Sequence, residues 1–295
     1  MKKLTTVELD GHVSEVWVEV PENEPVAWPI EAELAVLGKP VPRVDGPEKV
    51  SGRAKYTHDI NLPHMLWMKY LRSPLPFARI ANLDTSKAEA VPGVRAVYTH
   101  KNTPEIPWYG GRSKLFDTTL RYVGDEVAAV VATDEHTAAE AAKLIEVEYE
   151  ELPYVLDAET ALEAGAPALH EGGNLQGGKP NTYSRGDVEK GFAEADFVVE
   201  QTFRSQYQVH ACLETHCSVA QWQGSKLTVW DSTQAVHPNR QGLASALGIP
   251  VGDVRIICLY SGGGFGSKLG LNKYTVLASI AARDLGRPVK VTLDR

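Results

Sequence analysis

The stretch LYSGGGFGSKLG, Leu259–Gly270, decides how this chain is read. It closes an apolar run, VRIICLY (254–260), of the kind that forms a buried strand. A stiff element is therefore followed at once by a flexible one. Two nucleotide-binding patterns come close and fail. A P-loop needs Gly-x-x-x-x-Gly-Lys-Ser/Thr, but Gly266 is followed by Ser267, Lys268 comes one place late and Leu269 stands at the hydroxyl position. The dinucleotide pattern fits Gly262 and Gly264 and then meets Ser267 where its third glycine belongs. A plain turn needs only one or two glycines, because each adds conformational entropy that folding must overcome. Four glycines around one aromatic ring imply instead that backbone amides approach a flat or anionic ligand closely, with Phe265 lying against it.

The flanking sequence alternates strands and helices. KLTVWDSTQ reads as a strand, HPNRQGLASALG as a helix with Pro238 in its first turn and Gly248 closing it, and NKYTVLASIAARDLG as a helix ended by Gly286. PVKVTLD is a further strand. This order suggests βαβ units feeding a shared sheet. Because PVKVTLD is followed only by Arg295, the expectation is a strand with an unpaired edge that something else covers. Upstream, DFVVEQTFRSQYQVHACLETHCSVAQW is expected to be long and strand-rich. Earlier still, MLWMKYLRS, VRAVYTH, EVAAVVAT and IEVEYEEL read as strands, and DEHTAAEAAKL as a helix capped by Thr133 or Asp134. GKPVPRVDGPEKVSGRAKYTHDINLP is rich in Pro and Gly and reads mostly as loop. The boundaries predicted are an arm with a short hairpin and a linker (1–40), a compact α+β domain (41–155), a linker (156–195) and a second domain from 196 to 295.

Composition narrows the possibilities. The 295 residues are 43 % hydrophobic and 23 % charged, with a net charge of −8, which suits an ordinary globular protein. No basic patch or arginine run points to nucleic acid. The apolar runs are too short to span a bilayer, and the first twenty residues lack the apolar core of a signal peptide. Three cysteines, Cys212, Cys217 and Cys258, suit free thiols in a reducing cytoplasm. Cys212 and Cys217 flank His216, but no second ligand pair follows, so they read as buried strand cysteines rather than a metal site.

Several motifs together carry a family resemblance. GGGFGSK after a strand is similar to the GGGFGGK signature of the xanthine dehydrogenase/aldehyde oxidase family of molybdenum hydroxylases. LETHCSVA resembles that family's glutamate-bearing segment, and WDSTQ its Ser-Thr-Gln element, with 31 residues from Gln234 to Phe265. GKPVPRVDGPEKVSGRAKYTHDI, LRSPLPFARI and RYVGDEVAAVVA resemble the start of the molybdenum subunit and its hammerhead domain. The resemblance covers residues 37 to 295. It implies an α+β fold, a hammerhead-type α/β domain followed by the first part of the molybdopterin-binding α/β region.

The resemblance also implies a chemistry and a site. The cofactor would be molybdopterin with molybdenum, as such or as its cytosine dinucleotide. Oxygen from water would enter a substrate C–H bond, and electrons would leave through iron–sulfur clusters and FAD on partner subunits. Gln234 would donate to a molybdenum-bound oxygen. Phe265 and the loop glycines Gly263, Gly264 and Gly266 would pack at the cofactor, Gln234 and Phe265 beside the metal. Glu214 reads equally as a strand carboxylate paired with a lysine or arginine. Ser267 replaces a family glycine, and Leu269 stands where purine-oxidising members carry a glutamate, which disfavours purines. The family's catalytic base, and the main pterin-binding loops, lie beyond residue 295, so no catalytic residue is expected in this chain. The expectation is the N-terminal part of a split large subunit, inactive alone and completed by a C-terminal molybdopterin-binding polypeptide. The substrate would be an aldehyde, an N-heterocycle or an aromatic acyl thioester. The rival reading is a non-catalytic scaffold or remnant that keeps the fold without the cofactor.

Overall fold

The computed structural model describes residues 2–9, 12–19 and 33–295. The chain divides into two compact units, Met1–Arg53 and Ala54–Arg295. In the first, β1 (Lys2–Leu9) pairs antiparallel with β2 (His12–Glu19), the hairpin expected in the arm. Most of the predicted linker PENEPVAWPIEAE lies outside the described residues. The proline-rich stretch read as loop contains one short helix, α1 (Gly46–Val50), with Pro47 in its first turn.

The second unit holds β3 (Leu66–Arg72), β4 (Ala78–Asp84), β5 (Val94–Thr99), the two-residue strands β6 (Pro107–Trp108), β7 (Ser113–Lys114) and β8 (Thr119–Leu120), β9 (Glu126–Ala132), β10 (Glu146–Glu151), β11 (Cys217–Gln223), β12 (Lys226–Asp231), β13 (Val254–Ile257) and β14 (Val289–Thr292). Its helices are α2 (Ser86–Glu89), α3 (Glu135–Lys143), α4 (Val188–Glu194), α5 (Val236–Leu247) and α6 (Lys273–Asp284). Seven strands form one mixed sheet in the order β13-β12-β11-β14-β3-β9-β5. A smaller sheet, β10-β4-β8, lies beside it in the order given.

Alternate residues of β9 serve opposite faces, which is why EVAAVVA is apolar throughout and fully buried. Ala129 and Val131 join Leu243 of α5 and Leu277 and Ala281 of α6 in one core, while Ala128 and Val130 join Ala141 and Ala142 of α3 in another. Every residue of α6 from Lys273 to Ala282 is buried. The expected helix signals hold locally. Asp134, rather than Thr133, caps α3, accepting from the Thr137 amide at 2.8 Å. Gly248 closes α5 at φ 65°.

Three expectations need correction. β14 is no exposed edge: it is central and fully buried, antiparallel to β11 and parallel to β3, whose Leu66–Met68 face Val289–Val291. A partner more than 200 residues upstream leaves no local signature. The long segment upstream of β11 is not strand-rich, because only Cys217–Gln223 finds neighbours. Cys212, though buried, consequently lies outside any strand. β4, whose ARIANLD carries a mid-strand asparagine, was not anticipated.

A buried ionic cluster ties α6 to the strand β9 region. Lys273 Nζ lies 3.2 Å from Glu126 Oε2 and 3.5 Å from Asp125 Oδ1, and Arg72 Nη1 lies 3.1 Å from Glu126 Oε1. Removing one partner of such a group strands the others. Lys273→Met is therefore expected to destabilise the chain by roughly 3–5 kcal/mol, read as a lower urea midpoint at pH 7. A loss below about 1 kcal/mol would show that the carboxylates do not depend on Lys273.

Candidate functional site

Strand order brings the candidate residues together. β12 and β13 are parallel and joined through α5, so the loops after them emerge at the same end of the sheet. β11 is antiparallel to β12, so the segment before it arrives at that end too. Gln234 follows β12, the glycine loop follows β13, and Glu214 precedes β11. The spacing of 31 from Gln234 to Phe265 thus corresponds to one crossover. Carboxyl ends of parallel strands are where open α/β sheets bind ligands.

Each glycine of the loop has its own cause. A Cβ at Gly264 would lie 2.2 Å from the Gln234 amide carbon and oxygen, and one at Gly262 would lie 2.4 Å from Glu214 Cβ. Gly263 and Gly266 take φ of +106° and +105°, open only to glycine. Gly262 and Gly264 therefore let Glu214 and Gln234 close against the loop from either side. Phe265 also has positive φ, +51°, rare for a bulky residue, and the residue is 73 % exposed.

Gln234 is oriented by the loop. Its Oε1 accepts from the amides of Gly266 at 3.0 Å and Lys268 at 3.3 Å, and its own N–H donates to the Lys268 carbonyl at 2.9 Å. Two N–H donors can meet only the carbonyl oxygen, so Nε2 is left as a donor without a partner among the described residues. The Gly266 amide, expected to face a ligand, serves Gln234 instead. The amides of Gly263 and Gly264 have no partner among the described residues.

Lys268 explains why the P-loop pattern fails in space as well as in register. Its side chain is wholly buried, donating to the Glu214 carbonyl at 2.9 Å and to Glu214 Oε2 at 3.2 Å. Glu214 Oε2 also accepts from the Gly262 amide at 2.7 Å. Glu214 is thus paired with a lysine, as one of its two readings expects, but it lies before β11 rather than within a strand; Lys268 is the partner that the sequence alone does not assign. The other oxygen, Oε1, is buried and has no partner among the described residues. Glu214 lines two cavities: one of about 460 Å³ with Tyr56, His58 and Thr215, and one of about 270 Å³ with His210, Cys212 and Ser267.

The histidine and cysteines nearby have structural partners. His216 Nε2 is 3.2 Å from the Ser267 carbonyl, Cys212 Sγ 3.6 Å from Ser267 Oγ, and Cys217 Sγ 3.4 Å from Thr292 Oγ1. Burial pushes the Cys217 thiol up to about 11, which keeps it protonated and unreactive. Ser267, where the family signature has glycine, donates its hydroxyl to the Gly264 carbonyl at 2.8 Å and closes the loop.

These residues fit one side of a pterin-held molybdenum. The donor set is a neutral amide with its N–H₂ free, two uncommitted backbone amides and an exposed aromatic ring. No group of three or more His, Cys, Asp or Glu among the described residues is placed to hold a metal. A molybdenum carried by its own dithiolene requires no such group.

A mixed sheet with a glycine loop and an oriented amide at its parallel strand ends defines a cofactor-binding α/β protein. Family comparison makes this specific. The profile "Aldehyde oxidase and xanthine dehydrogenase, a/b hammerhead domain" matches residues 51–153, and "Molybdopterin cofactor-binding domain" matches 170–295. The chain belongs to the xanthine dehydrogenase/aldehyde oxidase family of molybdenum hydroxylases. It is 37 % identical over 268 residues to the xanthine dehydrogenase molybdenum-binding subunit of Escherichia coli O157:H7, covering 86 % of this chain and 35 % of that one. It is 38 % identical to the nicotinate dehydrogenase large molybdopterin subunit of Eubacterium barkeri, covering 89 % and 62 %. Among solved structures, reconstituted CO dehydrogenase from Oligotropha carboxidovorans superposes with a TM-score of 0.76 at 32 % identity, covering 88 % of this chain and 35 % of that one. The chain thus spans about a third of the xanthine and CO dehydrogenase chains it matches.

Two outcomes test this geometry. Gly264→Ala must displace the Gln234 amide and is expected to cost roughly 1–3 kcal/mol. Pairing it with Gln234→Ala removes the colliding atoms, so the double variant should recover part of that loss in a denaturation cycle. Strict additivity would deny the interlock. The second outcome concerns His216, whose pKa burial lowers below its ordinary value of 6.5, with Lys268 adding to the effect. The unfolded chain then binds this proton more readily than the folded one. Stability present above about pH 6.5 is therefore lost as pH falls. Melting temperature should drop between pH 7.5 and 5.5, and His216→Gln should make that drop shallower.

Proposed function

We propose that this chain is the part of a molybdenum-binding subunit comprising a hammerhead-type domain (41–155) and the first part of the molybdopterin-binding domain (196–295), within a multi-subunit molybdenum hydroxylase. The enzyme would oxidise an aldehyde, N-heterocycle or aromatic substrate with oxygen from water. Molybdopterin, as such or as its cytosine dinucleotide, supplies the oxygen transfer and accepts two electrons when bound. Iron–sulfur and FAD subunits would carry those electrons onward. The remaining molybdopterin-binding portion would bring the catalytic base, so this chain alone would be inactive. The assembly is assigned to the cytoplasm. Among the described residues, no helix is long and apolar enough to cross a membrane.

The observation that carries this reading is the orientation of Gln234. Its oxygen is held by two loop amides, so Nε2 would be presented to the cofactor as a fixed donor, with Gly263, Gly264, Phe265 and Gly266 shaping the cofactor-facing surface. A donor fixed before reaction stabilises developing charge without reorganisation. Names of the relatives support the class, with xanthine and nicotinate dehydrogenase subunits among them. Leu269, 55 % exposed, offers an alkyl surface where purine-oxidising members have a carboxylate, which favours a substrate that needs no such partner. A remnant without cofactor would have no evident use for an exposed phenylalanine at positive φ.

Two substitutions separate anchoring from donation. Gln234→Glu keeps the oxygen acceptors for the Gly266 and Lys268 amides but removes the N–H donor. Gln234→Ala removes both. In the assembled enzyme both should lower turnover roughly 100- to 1,000-fold, with molybdenum per complex unchanged. Only Gln234→Ala should lower the melting temperature. Normal turnover per molybdenum in Gln234→Glu would remove Gln234 from the reaction.

A further inference from the structure

Residues 196–213, DFVVEQTFRSQYQVHACL, carry a run of exposed apolar side chains beside the site. Odd-numbered positions carry Phe197, Val199, Phe203, Tyr207, Val209 and Leu213, each 84–90 % exposed. Most even-numbered positions are polar, including Glu200, Thr202, Arg204, Gln206 and Gln208. Apolar residues at a spacing of two are the pattern of a half-buried strand. Yet from 196 to 212 no backbone N–H or carbonyl has a hydrogen-bond partner among the described residues. An exposed apolar face of this size marks an interaction surface.

We infer that residues 197–209 are an interface strand, added to a sheet edge of the part of the large subunit that the relatives have and this sequence does not, with the odd-numbered face buried against it. This rests on the family reading above, since that portion is the occupant. Three observations favour that occupant. This chain accounts for only 35 % of the Escherichia coli subunit and of the CO dehydrogenase chain. Strand addition satisfies the free backbone groups and the period-two apolar face together. Finally, the segment leads directly into the site: His210 lies against Gly266, Cys212 meets Ser267, and Glu214 follows two residues later. Docking the strand would therefore also fix one wall of the cavity beside the glycine loop, and assembly and site formation would be one event.

Hydrogen exchange read by mass spectrometry, on this chain alone and on the assembled enzyme, tests the inference. Amides of 197–209 should exchange at near-unprotected rates in the isolated chain and at least 100-fold more slowly in the assembly. Phe203→Glu should reduce recovery of assembled enzyme at least tenfold, whereas Thr202→Glu, on the opposite face, should assemble normally. Both isolated variants should melt like the parent, because the two side chains are exposed there. Rapid exchange of 197–209 in the assembled enzyme would overturn the inference, as would normal assembly of Phe203→Glu. Protection that appears in the isolated chain as its concentration rises would assign the surface to a second copy instead. Slow exchange in an assembly devoid of molybdenum would sink the proposed function while leaving the interface standing.

Discussion

Everything at the glycine loop hangs on the burial of Lys268. Its ammonium group holds the Glu214 segment, and its backbone holds the segment after β12. There the Lys268 carbonyl accepts from the Gln234 amide at 2.9 Å and from Thr233 Oγ1 at 3.1 Å. A buried charge is tolerable only when it is paired and hydrogen-bonded, and here both conditions bring a particular piece of chain to a particular place. One residue thus fixes the distance between three segments far apart in sequence. The glycines follow from that distance, since two of them meet side chains that Lys268 has drawn in.

Beneath the loop the same logic is repeated with a carboxylate. Asp231, at the end of β12, is fully buried, and burial raises its pKa against the opposing effect of its hydrogen-bond donors. It accepts from Ser218 of β11, from Thr275 of α6 at 3.2 Å and from Asn239 of α5 at 3.4 Å. Asn239 reaches Thr233 as well, at 2.8 Å, so the polar seam continues upward to the residues that grip Lys268. Such connected networks specify one arrangement of a core, because any displaced member leaves another unsatisfied. The loop stands on a base with little freedom to shift, and an oriented amide such as Gln234 requires that.

The sequence carried the local part of this architecture. Helices α3, α5 and α6 announce themselves through caps, prolines and closing glycines, and the spacing from Gln234 to Phe265 reflects one strand-to-strand crossover. Pairing was another matter. Nothing in PVKVTLD says whether it lies at an edge or in the centre, because its neighbour β3 is more than 200 residues away. The alternation in 196–213 was legible as strand, but a strand exists only where another chain segment meets its backbone. The glycine run stands out in the sequence, but one cause of it does not: Gly262 and Gly264 make room for the protein's own Glu214 and Gln234. Identifying Lys268 as the partner of Glu214 required knowing that the segments before β11 and after β13 emerge together.

The position of β14 has a consequence for how the molecule is made. It sits between β11 and β3, so it joins a half-sheet of β13-β12-β11 to a half-sheet of β3-β9-β5. Of the seven strands it is the latest in sequence. The two halves can be synthesised and can gather their own helices, but they cannot become one sheet until β14 has left the ribosome. Closing so long a loop late makes the step entropically demanding and slow. Until then the facing edges of β11 and β3 remain open to wrong partners, which makes this stage the one where a chaperone would be of most use.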